Sequence, residues 1–278
     1  MKFNIFGKKQ SKSAKKPVVA RPPRENIADI LCIGTQKAGT SWLHTMCNLH
    51  PGAHSFPNNR PITSTTKEAH FFDWNPYRGV EWYRELMYPS RPDKLTMDFT
   101  PEYSMLTRGH VKLCKEISPT AKVLYVVRDP VARAVSALRM HYLWLSKKSV
   151  APDSIEFDDT FLRIFQESKL VGFSSYNASA ALWQSFYPDL RILNYEDSLK
   201  DARTYVLDVW KHVGLSYDDL DVNKKAEFEQ KLQSKVWESE KYPVSQDVID
   251  YLETVLRPHR EFFERTHGMK FTETVVAG

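Results

Sequence analysis

The chain lacks the features that would commit it to a membrane, a disulfide scaffold or a repeat array. Its 278 residues include only three cysteines, Cys32, Cys47 and Cys114. An odd number, one on an apolar run and two on helical patterns, predicts buried free thiols rather than a disulfide framework or a cysteine metal site. No apolar run approaches the roughly 18 residues of a membrane span. Phe3, Ile5 and Phe6 stand near the N-terminus without a continuous apolar core, so the pattern of a secretory signal is missing. A cytoplasmic protein is the expectation. No internal repeat is evident, and no cluster of His, Cys and Asp suggests a metal.

Acidic side chains are also missing from residues 1–24, which hold eight of the 39 Lys and Arg. The net charge of +5 therefore belongs to a tail, since the remaining 254 residues carry 31 bases against 34 acids. Rich in Lys, Ser and Pro, this tail is expected to be disordered, a solvated arm able at most to touch acidic surfaces. Its deletion should leave the fold intact. Residues 25–278 are expected to form the folded part. A hydrophobic content of 42% can build a sizeable core, and 26% charged residues is ordinary for a soluble protein.

What is present is organised around residues 30–49. Ile30 to Ile33 form a short apolar run, the mark of a buried parallel strand. Gly34 and Gly39 bracket a polar turn, and from Thr40 the apolar residues Trp42, Leu43, Met46, Cys47 and Leu49 recur at helical spacing. The free N–H groups of a glycine loop at a helix start make an anion site, and Lys37 adds a full charge. The triphosphate pattern G-x-x-x-x-G-K-[ST] is nearly met, but Thr40 follows Gly39 and the lysine sits inside the loop at position 37.

A second strand-to-helix unit lies at 122–136. Val123 to Val127 is a continuous apolar run, Asp129 is a good N-cap and Pro130 suits the first helical position. Arg128 thus stands at a strand's carboxyl end, where ligands bind in open α/β sheets. Its planar guanidinium suits a phosphate, and Ser136 lies nearly two turns into the helix that follows. Arg133 is expected to face outward or to support Asp129. Between these units, Lys67-Glu68-Ala69-His70-Phe71-Phe72 puts a carboxylate and an imidazole two residues apart, on one face if the segment is a strand. A carboxylate in reach of a hydroxyl can act as general base.

The loop Thr35-Gln36-Lys37-Ala38-Gly39-Thr40-Ser41-Trp42-Leu43 resembles the 5′-phosphosulfate loop of sulfotransferases that use 3′-phosphoadenosine 5′-phosphosulfate (PAPS). The arginine and the serine eight residues later resemble that family's 3′-phosphate motif, and residues 67–72 resemble the K-E-x-H-F-F segment of heparan-type members. The resemblance runs over about residues 27–268. It implies an α/β fold, one domain with a parallel β-sheet flanked by helices, related to the P-loop kinases. It also implies PAPS without a metal. Gln36, Lys37, Ala38, Gly39, Thr40, Ser41 and Trp42 would hold the 5′-phosphosulfate, Arg128 and Ser136 the 3′-phosphate. Glu68 would be the base, with His70 its competitor, and Lys37 would stabilise the leaving oxygen.

The family's Lys-Tyr-Pro loop appears as Lys241-Tyr242-Pro243, preceded by Ser239-Glu240 where relatives have Gly-Arg; Lys241, and more weakly Lys235, would cover the nucleotide. Several relatives carry a lysine before the Thr100-Pro101-Glu102-Tyr103 turn, where this chain has Phe99. Further on, Leu190–Tyr195 reads as a strand with Glu196-Asp197 as a helix cap, 216–240 shows no periodicity, and 245–266 reads as a long helix. The acceptor stays open between a glycan hydroxyl, a glycan amine and a small-molecule alcohol. A kinase using ATP and Mg²⁺ and a non-catalytic nucleotide-binding protein are the alternatives.

Overall fold

The computed structural model describes residues 24–56, 67–147, 153–233 and 242–271. The five strands are β1 (Ile30–Cys32), β2 (Ala53–His54), β3 (Leu95–Asp98), β4 (Lys122–Val127) and β5 (Arg191–Asn194). They form one sheet in the order β2-β3-β1-β4-β5, with every pairing parallel. Parallel strands need crossovers, and helices cover both faces. In chain order these are α1 (Thr40–Asn48), α2 (Val80–Met87), α3 (Arg108–Ile117), α4 (Pro130–Ser146) and α5 (Asp159–Glu167). There follow α6 (Tyr176–Gln184), α7 (Tyr195–Lys200), α8 (Ala202–Val213), α9 (Val222–Leu232) and α10 (Gln246–His267).

Alternate strand residues enter opposite layers, as a two-residue period requires. Leu31, Val123, Tyr125 and Val127 pack with Tyr83, Cys114 and Trp183 from α2, α3 and α6. Ile30, Cys32, Leu124 and Val126 pack with Leu43 and Met46 of α1 and Val209 and Trp210 of α8. A third cluster joins α4, α5 and α10 through Leu138, Phe161, Leu252 and Leu256. All three cysteines are buried free thiols, and burial pushes Cys32 and Cys47 up to about 12.

Three local expectations are corrected, and one stretch without a periodic signal holds a helix. Residues 67–70 are not a strand: they pair in no ladder, and His70 takes φ 50°. The cap of α7 is Asn194, whose side chain accepts the Glu196 N–H, and Glu196 turns elsewhere. Within 216–240, α9 does form, capped by Asp221. It buries only Phe228, too little to leave a periodic trace. Arg133 neither faces outward nor reaches Asp129; it is fully buried, with Nε donating to Ser174 Oγ at 3.0 Å and Nη2 to the Leu170 carbonyl at 2.7 Å.

The folded part also begins one residue early. Arg24 forms an ion pair with Asp29 and donates to the carbonyls of Pro92 (2.7 Å) and Lys94 (3.0 Å). Asp29 in turn accepts from the Thr96 N–H at 2.8 Å, so Arg24 is tied to the entrance of β3. Residues 1–23 lie outside the described residues. Arg24→Ala is expected to cost about 1.5–3 kcal/mol, the worth of hydrogen bonds to a charged group. That should lower the melting temperature by several degrees, whereas removal of residues 1–23 alone should not.

Candidate active site

The loop after β1 is shaped by its backbone. Gly34 has φ 137° and Gly39 φ 83°, and between them Lys37 stands at φ 69°. A Cβ on Gly34 would come within 2.6 Å of the Pro101 carbonyl oxygen, and one on Gly39 within 2.8 Å of the Tyr195 ring. Gly39 caps α1 without a side chain, so the first-turn N–H groups of α1 have no side-chain acceptor. Ala38 and Thr40 are buried, while Gln36, Lys37, Ser41 and Trp42 are partly open. Burial, and secondarily the charge of Arg128, lower the pKa of Lys37. This is a concave run of N–H donors with a cation in it, an anion site in form.

Arg128 follows β4 and turns towards that loop. Its Nη1 donates to the Lys37 carbonyl at 3.1 Å, and its guanidinium lies 4.8 Å above the Tyr195 ring. Its Nε is buried without a partner, a donor that an anion would satisfy. The backbone around it is fixed from three sides. Tyr176 of α6 donates to the Arg128 carbonyl at 2.7 Å, and Glu196 of α7 accepts the Asp129 N–H at 3.0 Å. Arg260 of α10 pairs with the Asp129 carboxylate at 2.6 Å. As expected, Asp129 caps α4, accepting the Ala132 N–H at 2.8 Å. Ser136 sits nearly two turns into α4, partly buried.

Glu68 and His70 do come together, though not through a strand. His70 Nε2 lies 3.5 Å from Glu68 Oε2, His70 Nδ1 lies 2.8 Å from Asp73 Oδ2, and Lys67 pairs with Glu68. Burial alone would raise the Glu68 pKa. The His70 hydrogen bond and the Lys67 charge outweigh it, so Glu68 stays below its ordinary range. Burial likewise disfavours charge on His70, but Asp73 and Glu68 push its pKa up to about 9. The two carboxylates thus favour the protonated imidazolium of His70.

The segment after β3 supports this cluster. Asp98 is fully buried and accepts from Thr100 Oγ1 (2.6 Å), the Ala69 N–H (3.2 Å), Tyr83 OH and Tyr103 OH (both 2.9 Å). Thr100 Oγ1 accepts the His70 N–H at 3.3 Å and Tyr103 OH the Phe71 N–H at 2.8 Å. Three successive N–H groups thus hang on residues 98, 100 and 103. The segments after β1 and β3 also touch, the Ser104 N–H donating to the Ile33 carbonyl at 2.6 Å. The loop and the Glu68 cluster consequently share the carboxyl edge of one sheet.

Lys241 and Lys235 lie outside the described residues. Arg139 Nε of α4 donates to the neighbouring Tyr242 carbonyl at 3.0 Å. One grouping bears on the expected absence of a metal: His70, Asp73 and Glu102 bring ligand-type atoms within 4.8 Å of one another. His70 and Asp73 already pair with each other through Nδ1 and Oδ2. Sequence reasoning missed Tyr195, Arg260, Asp73 and Asp98. Asp73 was within reach, directly following the 67–72 segment that holds Glu68, whereas the other three meet the site only through the fold.

The sulfotransferase-domain family profile matches residues 28–264. The chain belongs to the sulfotransferase family. It is 35% identical over 120 residues to heparan sulfate glucosamine 3-O-sulfotransferase 6 from Homo sapiens, covering 43% of this chain and 32% of that protein. To heparan sulfate glucosamine 3-O-sulfotransferase 5 from Mus musculus it is 26% identical over 192 residues, covering 65% and 51%. The chain thus spans about a third to a half of the length of these curated relatives. A sulfotransferase from Alicyclobacillus acidocaldarius shares the fold, with TM-score 0.64, 20% identity, and 91% and 98% of the two chains covered. Among the described residues, no helix is long and apolar enough to cross a membrane.

The His70 ion pairs set a pH dependence. The folded pKa of about 9 lies above the unfolded value of about 6.5. Their stabilisation is therefore fully present below pH 6.5 and is lost as pH rises through 9. The imidazole resonances of His70 should titrate near pH 9, and the melting-temperature advantage over His70→Gln should shrink between pH 7 and 10. A midpoint near 6.5 would mean that the pairs with Asp73 and Glu68 do not form in solution.

Proposed function

We propose that this sulfotransferase uses PAPS and sulfates a hydroxyl of a heparan-type glycan, with Glu68 as base. The observation carrying the donor assignment is the convergence of two cationic groups at one loop: the uncapped start of α1 with Lys37, and Arg128, whose Nη1 donates to the Lys37 carbonyl and whose Nε has no partner among the described residues. A nucleotide with anionic groups on both its 5′ and 3′ positions fits that pair. Lys37 and the loop N–H groups of Gln36 to Trp42 would hold the 5′-phosphosulfate, and Arg128 with Ser136 the 3′-phosphate. Bound PAPS supplies the sulfuryl group, which forms its new bond to the acceptor oxygen as its bond to the phosphate oxygen breaks.

Around that transfer the chain's residues have separate tasks. Glu68, kept ionised by His70 and Lys67, takes the acceptor proton. His70 already carries a proton and orients Glu68. Lys37 faces the oxygen on which charge develops, a stabilisation worth about 10²–10³ in rate for a well-placed donor. A glycan acceptor is supported by the names of the relatives, and the kinase alternative has no observation in its favour: the lysine stays inside the loop.

Two measurements test this. Glu68→Gln keeps the side chain's shape but removes its basicity. Turnover with labelled PAPS should fall by about 10²–10⁴ while PAP binding persists. Retention of more than about a tenth of wild-type kcat by Glu68→Gln, alongside a dead His70→Ala, would make the histidine the base. For the second, wild type should bind PAP more tightly than adenosine 5′-phosphate, and Arg128→Ala should lose that preference, chiefly raising the KM for PAPS. Equal affinity of wild type for the two nucleotides would remove the 3′-phosphate assignment.

A further inference from the structure

One large side chain beside the site is left half uncovered. Trp74 is 64% exposed, yet its position is fixed. Its ring lies 3.6 Å from the His70 ring with 2° between the planes. Its backbone N–H donates to Asp73 Oδ1 at 2.9 Å and to the His70 carbonyl at 3.2 Å. Asn75, the next residue, is buried and donates from its side chain to the Ala69 carbonyl at 3.3 Å. The indole's inner face thus packs on an imidazolium that contacts Glu68, a cation–π arrangement that fixes the ring plane. Its outer face stays open, and core packing gains nothing from that side.

Three residues on in the chain, Tyr77 is 75% exposed, with the Arg78 guanidinium 5.2 Å from its ring centroid and 5.3 Å from that of Trp82. The segment that follows the candidate base therefore carries two open aromatic rings and a cation. An ordered, exposed aromatic face beside a reaction centre marks a binding surface. The apolar C–H face of a pyranose matches it, and a cation alongside suits a sulfated or carboxylated sugar.

We propose that Trp74 is the acceptor platform, on whose outer face one pyranose ring of an anionic glycan stacks, with Tyr77 and Arg78 flanking the next sugar. This rests on the glycan-acceptor reading above. The indole lies between the stacked ring and the imidazole, whose Nε2 edge meets Glu68, so the stacked ring is held off the base and is not the one that reacts. It is a neighbour along the chain, and the site needs at least a disaccharide to use the platform. Because Trp74 packs on His70, and His70 on Glu68, filling the platform also stiffens the base.

The test uses the full chain saturated with PAP and an N-sulfated heparosan hexasaccharide, titrated by calorimetry. Trp74→Ala should weaken hexasaccharide binding by about tenfold or more, because the sugar loses the large apolar face on which it stacks. Trp74→Phe should stay within about threefold of wild type, and both variants should bind PAP as wild type does. In saturation-transfer NMR, the ring C–H protons of the hexasaccharide should receive magnetisation from wild type and lose it with Trp74→Ala. Equal hexasaccharide affinity for wild type and Trp74→Ala would overturn the platform and leave the glycan reading standing. A wild-type chain that binds PAP but not the hexasaccharide would overturn both.

Discussion

The site depends on a carboxylate that never meets water. Asp98, at the end of β3, is surrounded by four donors, two of them tyrosine hydroxyls from α2 and from the turn after β3. A buried carboxyl is tolerated only when its lone pairs are filled, and here the donors that fill them are also what places the functional segment. Tyr103 passes the contact on to Phe71 and Thr100 passes it to His70. Glu68 and His70 need no ladder of their own, because an adjacent strand end supplies one.

That arrangement explains what was readable from the chain and what was not. The β1–loop–α1 and β4–α4 units were legible because apolar runs, a capping Asp129 and Pro130 are local signals, and β1 and β4 lie side by side in the sheet. The pairing of Glu68 with His70 was anticipated, but for a reason that fails. A strand would bring residues two apart onto one face; here φ 50° at His70 turns the imidazole back towards Glu68. The role of His70 was not legible at all. Its charge comes from Asp73 and Glu68 acting together against burial, and that balance exists only in the fold.

The arginines show the same division. Arg128 was identified from its place after an apolar run. Arg133, five residues on, looked like a surface or supporting residue and is instead sealed in the core on Ser174 and the Leu170 carbonyl. The support for Asp129 comes from Arg260, 131 positions later, on a helix that packs along α4. A spacing argument sees neighbours within two turns; it cannot see which arginine of a distant helix arrives. Lys37 and His70 are two of the three non-glycine residues with positive φ among the described residues. Both lie in the proposed site, where strained backbone tends to be kept for function.

Tyr195 gives the donor side a property that neither of its neighbours has alone. Its ring leaves no room for a Cβ on Gly39 and lies beneath the guanidinium of Arg128. Three residues distant in sequence thereby form one packed unit, closed by the Arg128 Nη1 bond to the Lys37 carbonyl at 3.1 Å. A side chain at position 39 would push on the ring against which the guanidinium rests, so residues 39, 128 and 195 can change only as a set.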